Sequence, residues 1–196
     1  MDARLRKGLL LGFGAYACWG LLSPVGKHLL ETFPPLWLNA IRFAIATAIL
    51  LPILGVAATR QSVSALRRPG LLWANLMANV SLTLFLYSLD RLEATQSTLL
   101  FYSAPLWTAW WAHLRLGERV GAWFAPAAVG LLIGGYVALF GLAGPGAFDT
   151  LGLVLGISSG VAWAFYTVAL RRAAPDIDLK PLLGSSFIAG TLYFLV

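Results

Sequence analysis

Five stretches of the chain contain no Asp, Glu, Lys or Arg: 8–26, 69–89, 94–114, 120–148 and 150–170. A helix rises 1.5 Å per residue, so about 20 residues cross a hydrocarbon core of roughly 30 Å. Each stretch is long enough to span. Two further segments read the same way: 32–59, broken only by Arg42, and 181–196. None shows the wide polar face that a helix in a soluble bundle presents to water. The pattern predicts an all-α, polytopic membrane helical bundle, with six spans and the start of a seventh.

Composition agrees. Apolar residues make up 59% of the 196 and charged residues 11%, whereas soluble domains carry about 25% charged residues. The net charge of +6 is unevenly placed. Eleven bases lie before span 1 or in the loops 57–69, 115–120 and 171–181, and only Lys27 and Arg91 lie in the alternate connections. Bases concentrate on the cytoplasmic side of membrane proteins. The N-terminus and those three loops are therefore expected to face the cytoplasm of an integral protein in the plasma (bacterial inner) membrane. The same placement argues against nucleic acid as a partner. Cys18 is the single cysteine, so neither an intrachain disulfide nor a thiolate metal cluster can form. A cleavable signal peptide, suggested by Ala15-Tyr16-Ala17, is set aside because the apolar run continues through Leu22 and its pattern recurs far downstream.

That recurrence is an internal repeat. At a gapless offset of 144, residues 8–28 match 152–172 through Gly8/Gly152, Leu9/Leu153, Leu11/Leu155, Gly12/Gly156 and Trp19/Trp163. Ser23/Thr167 and Lys27/Arg171 keep their chemistry. Five spans separate equivalent points, and an odd number reverses the direction of the second copy. Inverted repeats are a transporter architecture, with the solute site near the midplane between the halves. The expected organisation is a first five-helix repeat over 1–144 and an incomplete second one over 145–196. Twice 144 is 288, so the sequence is expected to stop partway through the second repeat, after about seven of ten helices.

The residues also resemble a known family. Pro105-Leu106-Trp107, Leu116-Gly117-Glu118-Arg119, Gly130 and the Gly134-Gly135 pair are similar to motifs of the EamA-like branch of the drug/metabolite transporter superfamily. Gly12, Trp19 and Pro24 in span 1, and Arg42-Phe43 in span 2, fit the same pattern. The resemblance implies ten helices, a cytoplasmic N-terminus and passage of small organic molecules. The chain departs from it in lacking the last three helices.

Candidate solute-binding residues follow from position. Asn75, Asn79, Thr83 and Tyr87 recur every four residues, so they drift by about 40° per step along one face of span 3. Lipid would leave their polar groups unsatisfied, so this face points inward, either lining the solute path or bonding to other helices. Where counterpart helices are lacking, Asn75, Asn79 and Tyr102 are expected to be exposed or rearranged. Span 4 carries Thr98, Tyr102 and Pro105; Pro105 removes a donor, frees the carbonyl of residue 101 and bends the helix. Pro24 invites the same reading. Trp19, Trp163 and Tyr166 lie deep in their spans and could pack on an apolar or aromatic solute; for most of the eight tryptophans the alternative is anchoring or helix packing. Trp107, Trp110 and Trp111 read as an interfacial belt. Arg42 is the one strong charge inside a span, with an anion-binding and a structural hydrogen-bonding role both open. The stripes Gly152/Gly156/Gly160/Ala164 and Gly130/Gly134/Ala138 read as packing surfaces, within the subunit or in a homodimer.

No catalytic residue, cofactor or metal site is expected. His28 and His113 fall at opposite faces, and no HExxH or paired intramembrane Asp occurs. The acids all lie in loops or at span ends, so proton coupling would need further helices or a boundary residue such as Glu118, and facilitated diffusion or exchange stands beside it. The sequence thus points to a transporter of small organic metabolites, such as amino acids or drugs, working by alternating access. A non-transporting scaffold or a channel subunit is the alternative.

Overall fold

The computed structural model describes residues 3–137 and 149–195, and among these all regular structure is helical. The elements are α1 (Ala3–Gly20), α2 (Leu22–Leu30), α3 (Pro35–Ala65), α4 (Pro69–Arg91), α5 (Ala94–Phe101), α6 (Ala104–Leu116), α7 (Phe124–Tyr136), α8 (Thr150–Ala173) and α9 (Leu179–Leu195). Residues 138–148 of the expected fifth span, with Ala138 of the second glycine stripe, lie outside the described residues, as do Val196 and the side chains of Ala3, Arg4, Tyr16 and Leu195. Among the described residues four segments are long and apolar enough to cross a membrane: Leu5–Leu30, Pro35–Ala65, Pro69–Arg91 and Thr150–Ala173. The fourth expected span is divided into α5 and α6, and α7 and α9 supply shorter apolar helices. The chain is an all-α integral membrane bundle.

Proline and glycine account for the interruptions. α1 passes into α2 at Leu21, three residues before Pro24; α5 gives way to α6 at Tyr102 and Ser103, just before Pro105. In each case the ring cannot donate and crowds the carbonyl four residues earlier. α3 contains Pro52 and a non-helical Gly55 at φ 81°, a left-handed conformation that only glycine adopts cheaply. The helix resumes beyond it, because the Thr59 hydroxyl donates to the Gly55 carbonyl at 2.9 Å and Ser62 and Ala65 are buried. The loop expected at 57–69 therefore shrinks to residues 66–68. The other two expected loops shrink to 117–123 and 174–178, which leaves Arg115 on α6, Arg171 and Arg172 on α8 and Lys180 on α9.

Ion pairs and caps define two ends of the bundle. At the near end, Arg68 meets Asp176 at 2.9 Å and Arg171 meets Glu118 at 2.8 Å. At the far end, the Lys27 ammonium donates to the carbonyls of Leu89, Asp90 and Leu92 at 2.8, 3.1 and 3.0 Å, capping the C-terminus of α4 with a positive charge. Beside it, Arg91 pairs with Asp149 at 3.0 Å, and Asp149 accepts the Gly152 amide as N-cap of α8. That amide and Arg91 hold the Asp149 carboxyl below its ordinary range; the Arg68 hydrogen bond does the same for Asp176, whose charge in turn raises Arg68.

α8 is the centre of the packing. Its Gly152, Gly156 and Gly160 lie against Leu92, Leu100 and Ser103, and an added Cβ would sit within 2.8, 2.7 and 2.8 Å of those side chains. Ser81 and Ser88 of α4 donate to the Ser159 and Gly152 carbonyls at 2.7 and 2.9 Å. Close approach through small residues, with interhelical hydrogen bonds, is how helices associate in lipid. The first glycine stripe is thus a packing surface within the chain. Gly130 and Gly134 of the second face open space. A buried apolar cluster of Leu38, Phe85, Leu86, Leu89 and Phe101 fills the junction of α2, α3, α4 and α5.

Residues matched at the offset of 144 come close together in the fold. Trp19 and Trp163 meet edge to face at 5.9 Å. The α2 end near Lys27 and the α8 start near Gly152 approach the same corner, Leu89 to Leu92. Ala15, Thr167 and Arg171 lie together on the other side of the tryptophans. α1/α2 and α8 therefore run antiparallel, as an inverted repeat requires. The same offset recurs between α3 and α9, where Thr47 meets Thr191 at 2.8 Å and Phe43 meets Phe187 at 6.1 Å.

Gly156→Val is expected to destabilise the bundle by about 1–3 kcal/mol through overpacking against Leu100 and Ser88. Gly12→Val, at a site with nothing within 4 Å, should change stability by no more than about 0.5 kcal/mol. Unfolding in detergent micelles, followed by circular dichroism, compares the two.

Candidate functional site

The break in the fourth span turns side chains toward a cleft. Phe101 ends α5, Tyr102 caps it, and Ala104 and Pro105 open α6. The bend is held by the Tyr102 amide donating to Thr98 at 2.9 Å and the Ser103 amide donating to Leu100 at 3.1 Å. Trp107 donates from its indole to the Ser103 hydroxyl at 3.0 Å, bracing the start of α6. α8 supplies the facing wall because Gly160 admits the carbonyls of Leu100 and Phe101. α1 supplies the third wall through Ala15 and Trp19.

The space between these walls holds about 740 Å³. Its inner end is aromatic: Trp19, Phe101, Tyr102 and Trp163, with Phe101 and Trp163 at 5.5 Å. The α6 wall continues through Pro105, Thr108, Ala109 and Ala112, and the α8 wall through Thr167. The near-end mouth carries Glu118 and Arg171, paired at 2.8 Å and partly exposed. Trp163 and Arg171 are eight residues apart, so the cleft is about 12 Å deep along α8. Such a site can take an apolar or aromatic body within, hydroxyl contacts along the wall and charge at the entrance.

The motif at the mouth has a local explanation. Leu116 ends α6, and Gly117 adopts a left-handed φ of 67° while its amide donates to the His113 carbonyl at 3.2 Å. This is a glycine C-cap. It turns the chain so that Glu118, the next residue, reaches Arg171 across the cleft. Trp111 packs on Phe165 at 4.7 Å with the Arg115 guanidinium over its other neighbourhood at 4.7 Å, and Trp110 is exposed at the same end.

Of the residues singled out in the sequence, the cleft brings together Trp19, Tyr102, Pro105 and Trp163. Tyr166 stacks on Trp163 at 4.9 Å and is not among the lining residues. Asn75 and Asn79 lie in another place, a polar seam among α3, α4 and α9. Ser186 donates to Asn75 Oδ1 at 2.9 Å, Asn79 donates to the Asn75 carbonyl at 2.7 Å, and Thr83 receives Asn39 at 3.4 Å. Arg42 joins this seam through Asn39 Oδ1 at 3.5 Å. Both asparagines are buried, because α9 covers the face expected to lack a partner; Tyr102 is 44% exposed, as expected. Sequence reasoning did not single out Phe101, Thr108 or Ala15 as lining residues. For Thr108 a signal existed: it lies one turn beyond Ala104 and Pro105 on the same face of α6.

Trp19 and Trp163 should be energetically coupled by about 0.5–1.5 kcal/mol in a double-mutant cycle with leucine replacements. Trp19 and Trp73, which lies exposed on the outer side of α4, should be additive to within about 0.5 kcal/mol. Micellar unfolding of the single and double variants reads both values.

Comparison with known proteins agrees with this architecture. The profile of the EamA-like transporter family matches residues 6–141. A protein of Bacillus subtilis (strain 168), described as the uncharacterized transporter YvbV, is 28% identical over 201 residues. That alignment covers 98% of this chain and 63% of the relative, so the chain spans somewhat less than two thirds of the relative's length. No solved structure matches. With the family profile covering more than half of the chain, and with the motifs at Pro105, Gly117 and Glu118 explained by the fold, the chain belongs to the EamA-like transporter family.

Proposed function

We propose that the chain carries small organic solutes with an apolar or aromatic body, such as amino acids or drugs, across the plasma (bacterial inner) membrane by alternating access. The observation that carries this reading is the cleft itself. It lies between a helix of the first repeat and its inverted equivalent in the second, beside a proline-broken span, where inverted-repeat carriers hold their solutes. Membership of a transporter family supports the same class.

Trp19, Tyr102 and Trp163 would pack on the body of the solute, with Pro105 shaping the wall behind it. Thr108 and Thr167 would offer hydroxyls, and Arg171 and Glu118 would meet charged groups at the mouth. Tyr166 supports Trp163 from behind, and Asn75 and Asn79 stand apart from the cleft in the α3–α4–α9 seam. The near end faces the cytoplasm in this reading. The 11-to-2 distribution of bases favours that orientation. So does the structural employment of both far-end bases, Lys27 as a helix cap and Arg91 in an ion pair.

The test is uptake of radiolabelled L-phenylalanine and of ethidium into proteoliposomes containing the chain and, separately, a version of it extended by three further helices. Saturable uptake of at least one probe is expected. Trp163→Ala should reduce it by about tenfold, the loss of one aromatic contact worth roughly 1.4 kcal/mol. Uptake that rises linearly with concentration would indicate a channel, and no uptake of either probe would refute a carrier for aromatic solutes.

A further inference from the structure

We infer that the seam between α3 and α9, centred on Thr47 and Thr191, is the fixed pivot on which the two repeats exchange conformations. The inference rests on the carrier reading above. Its basis is a symmetry in the hydrogen bonds. The Thr47 hydroxyl donates to the Phe187 carbonyl at 3.0 Å, and the Thr191 hydroxyl lies 3.1 Å from the Phe43 carbonyl and the same distance from the Phe187 carbonyl in its own helix. Adding 144 to 47 gives 191, and adding 144 to 43 gives 187. Each bond is the other's image under the repeat. The two hydroxyl oxygens, themselves images, are 2.8 Å apart, and the Phe43 and Phe187 rings lie 6.1 Å apart.

Reciprocal contact of this kind occurs where a two-fold axis passes through an interface, because residue i then meets j while j meets i. The helices run antiparallel across it. As α9 advances from Gly184 to Gly190, its partners on α3 retreat from Ser62 and Leu54 to Phe43. In the sequence the matched positions extend through Leu38/Leu182 and Leu51/Leu195.

Alternating access in an inverted repeat interchanges the shapes of the two halves. A contact between i and j in one state becomes a contact between their images in the other. A pair that is its own image, such as Thr47 with Thr191, or a reciprocal pair of bonds, such as those to Phe43 and Phe187, maps onto itself. Those contacts persist in both states. The Glu118–Arg171 pair does not map onto itself, since the image of Arg171 is Lys27, which is engaged with the α4 carbonyls at the far end. It therefore breaks when the near mouth opens. The structure thus separates a seam that stays from a gate that moves.

With the two hydroxyl oxygens 2.8 Å apart, cysteines at 47 and 191 would have their sulfurs side by side, within reach of a disulfide or, failing that, a short bis-thiol bridge. The experiment uses the chain with Cys18→Ser, carrying either Thr47→Cys with Thr191→Cys or Glu118→Cys with Arg171→Cys, in proteoliposomes with L-phenylalanine as probe. Each protein is its own control, bridged and then reduced. Bridging 47 to 191 should leave uptake within about twofold, whereas a short bis-thiol bridge from 118 to 171 should lower it at least about tenfold. A tenfold loss on bridging 47 to 191, or no loss on bridging 118 to 171, overturns the inference. Absence of uptake by both reduced proteins would instead count against the carrier reading. The pivot is then decided by cross-linking yield in the chain carrying all four cysteines: a 47–191 yield that ignores the state of the mouth supports it, and one that follows the mouth overturns it.

Discussion

Helices in lipid gain little by hiding apolar side chains from a surrounding that is equally apolar, so their association depends on how closely their backbones approach. In this chain that constraint is met along one stripe of α8. Gly152, Gly156 and Gly160 leave room for Leu92, Leu100 and Ser103, and no side chain could replace those hydrogens without displacing a neighbour. Ser81 and Ser88 then come within hydrogen-bonding reach of α8 carbonyls. Because α8 sits so close to the break between α5 and α6, Trp163 reaches Trp19 and Phe101, and the cleft acquires its aromatic floor. The site is a consequence of the glycine stripe.

A second constraint is the need to satisfy polar groups where no water is present. The chain answers it locally. Thr59, Thr83, Thr98 and Thr167 return their hydroxyls to carbonyls four residues back, at 2.6–2.9 Å. Lys27 serves three free carbonyls at a helix end, and Ser186 serves Asn75 from a neighbouring helix. Among the described residues, Asn75 Nδ2 and Asn79 Oδ1 remain buried without a partner, at the deepest point of the α3–α4–α9 seam. Polarity is thus divided between two regions of different character. One is an open cleft with aromatic walls, and the other is a closed seam of amides, hydroxyls and one guanidinium.

Much of this was legible in the sequence because membrane helices obey few rules. Charge-free runs gave the spans, Pro24 and Pro105 marked two interruptions, and the glycines of α8 announced close packing. The shared offset of Trp19 and Trp163 placed them at equivalent depth; that they touch is seen only in the structure. Three features were hidden for physical reasons. The four-residue spacing of Asn75 and Asn79 identifies a face but not the neighbour that covers it, and α9 rather than the cleft does so. Arg60 reads as the end of a span, yet the helix continues to Ala65 because Gly55 absorbs the bend and Ser62 packs inward. The kinship of α3 with α9 rests on Leu38, Phe43, Thr47 and Leu51 and their images, ordinary residues for a membrane helix that stand out only when the hydrogen bonds pair them.

The central claim is that α1/α2 and α8 are antiparallel equivalents crossing at Trp19 and Trp163, with the cleft on one side of that crossing. Distances between paired spin labels test it without reference to transport. Leu11 lies eight residues before Trp19, Val154 nine before Trp163 and Arg172 nine after it, and all three are exposed. At 1.5 Å per residue, antiparallel crossing separates Leu11 from Val154 by about 25 Å along the bundle and leaves Leu11 nearly level with Arg172. Pulsed electron spin resonance on the chain in lipid should therefore give the longer distance for the 11–154 pair. A longer distance for the 11–172 pair would mean that the two helices run in the same direction, and the inverted repeat would be contradicted.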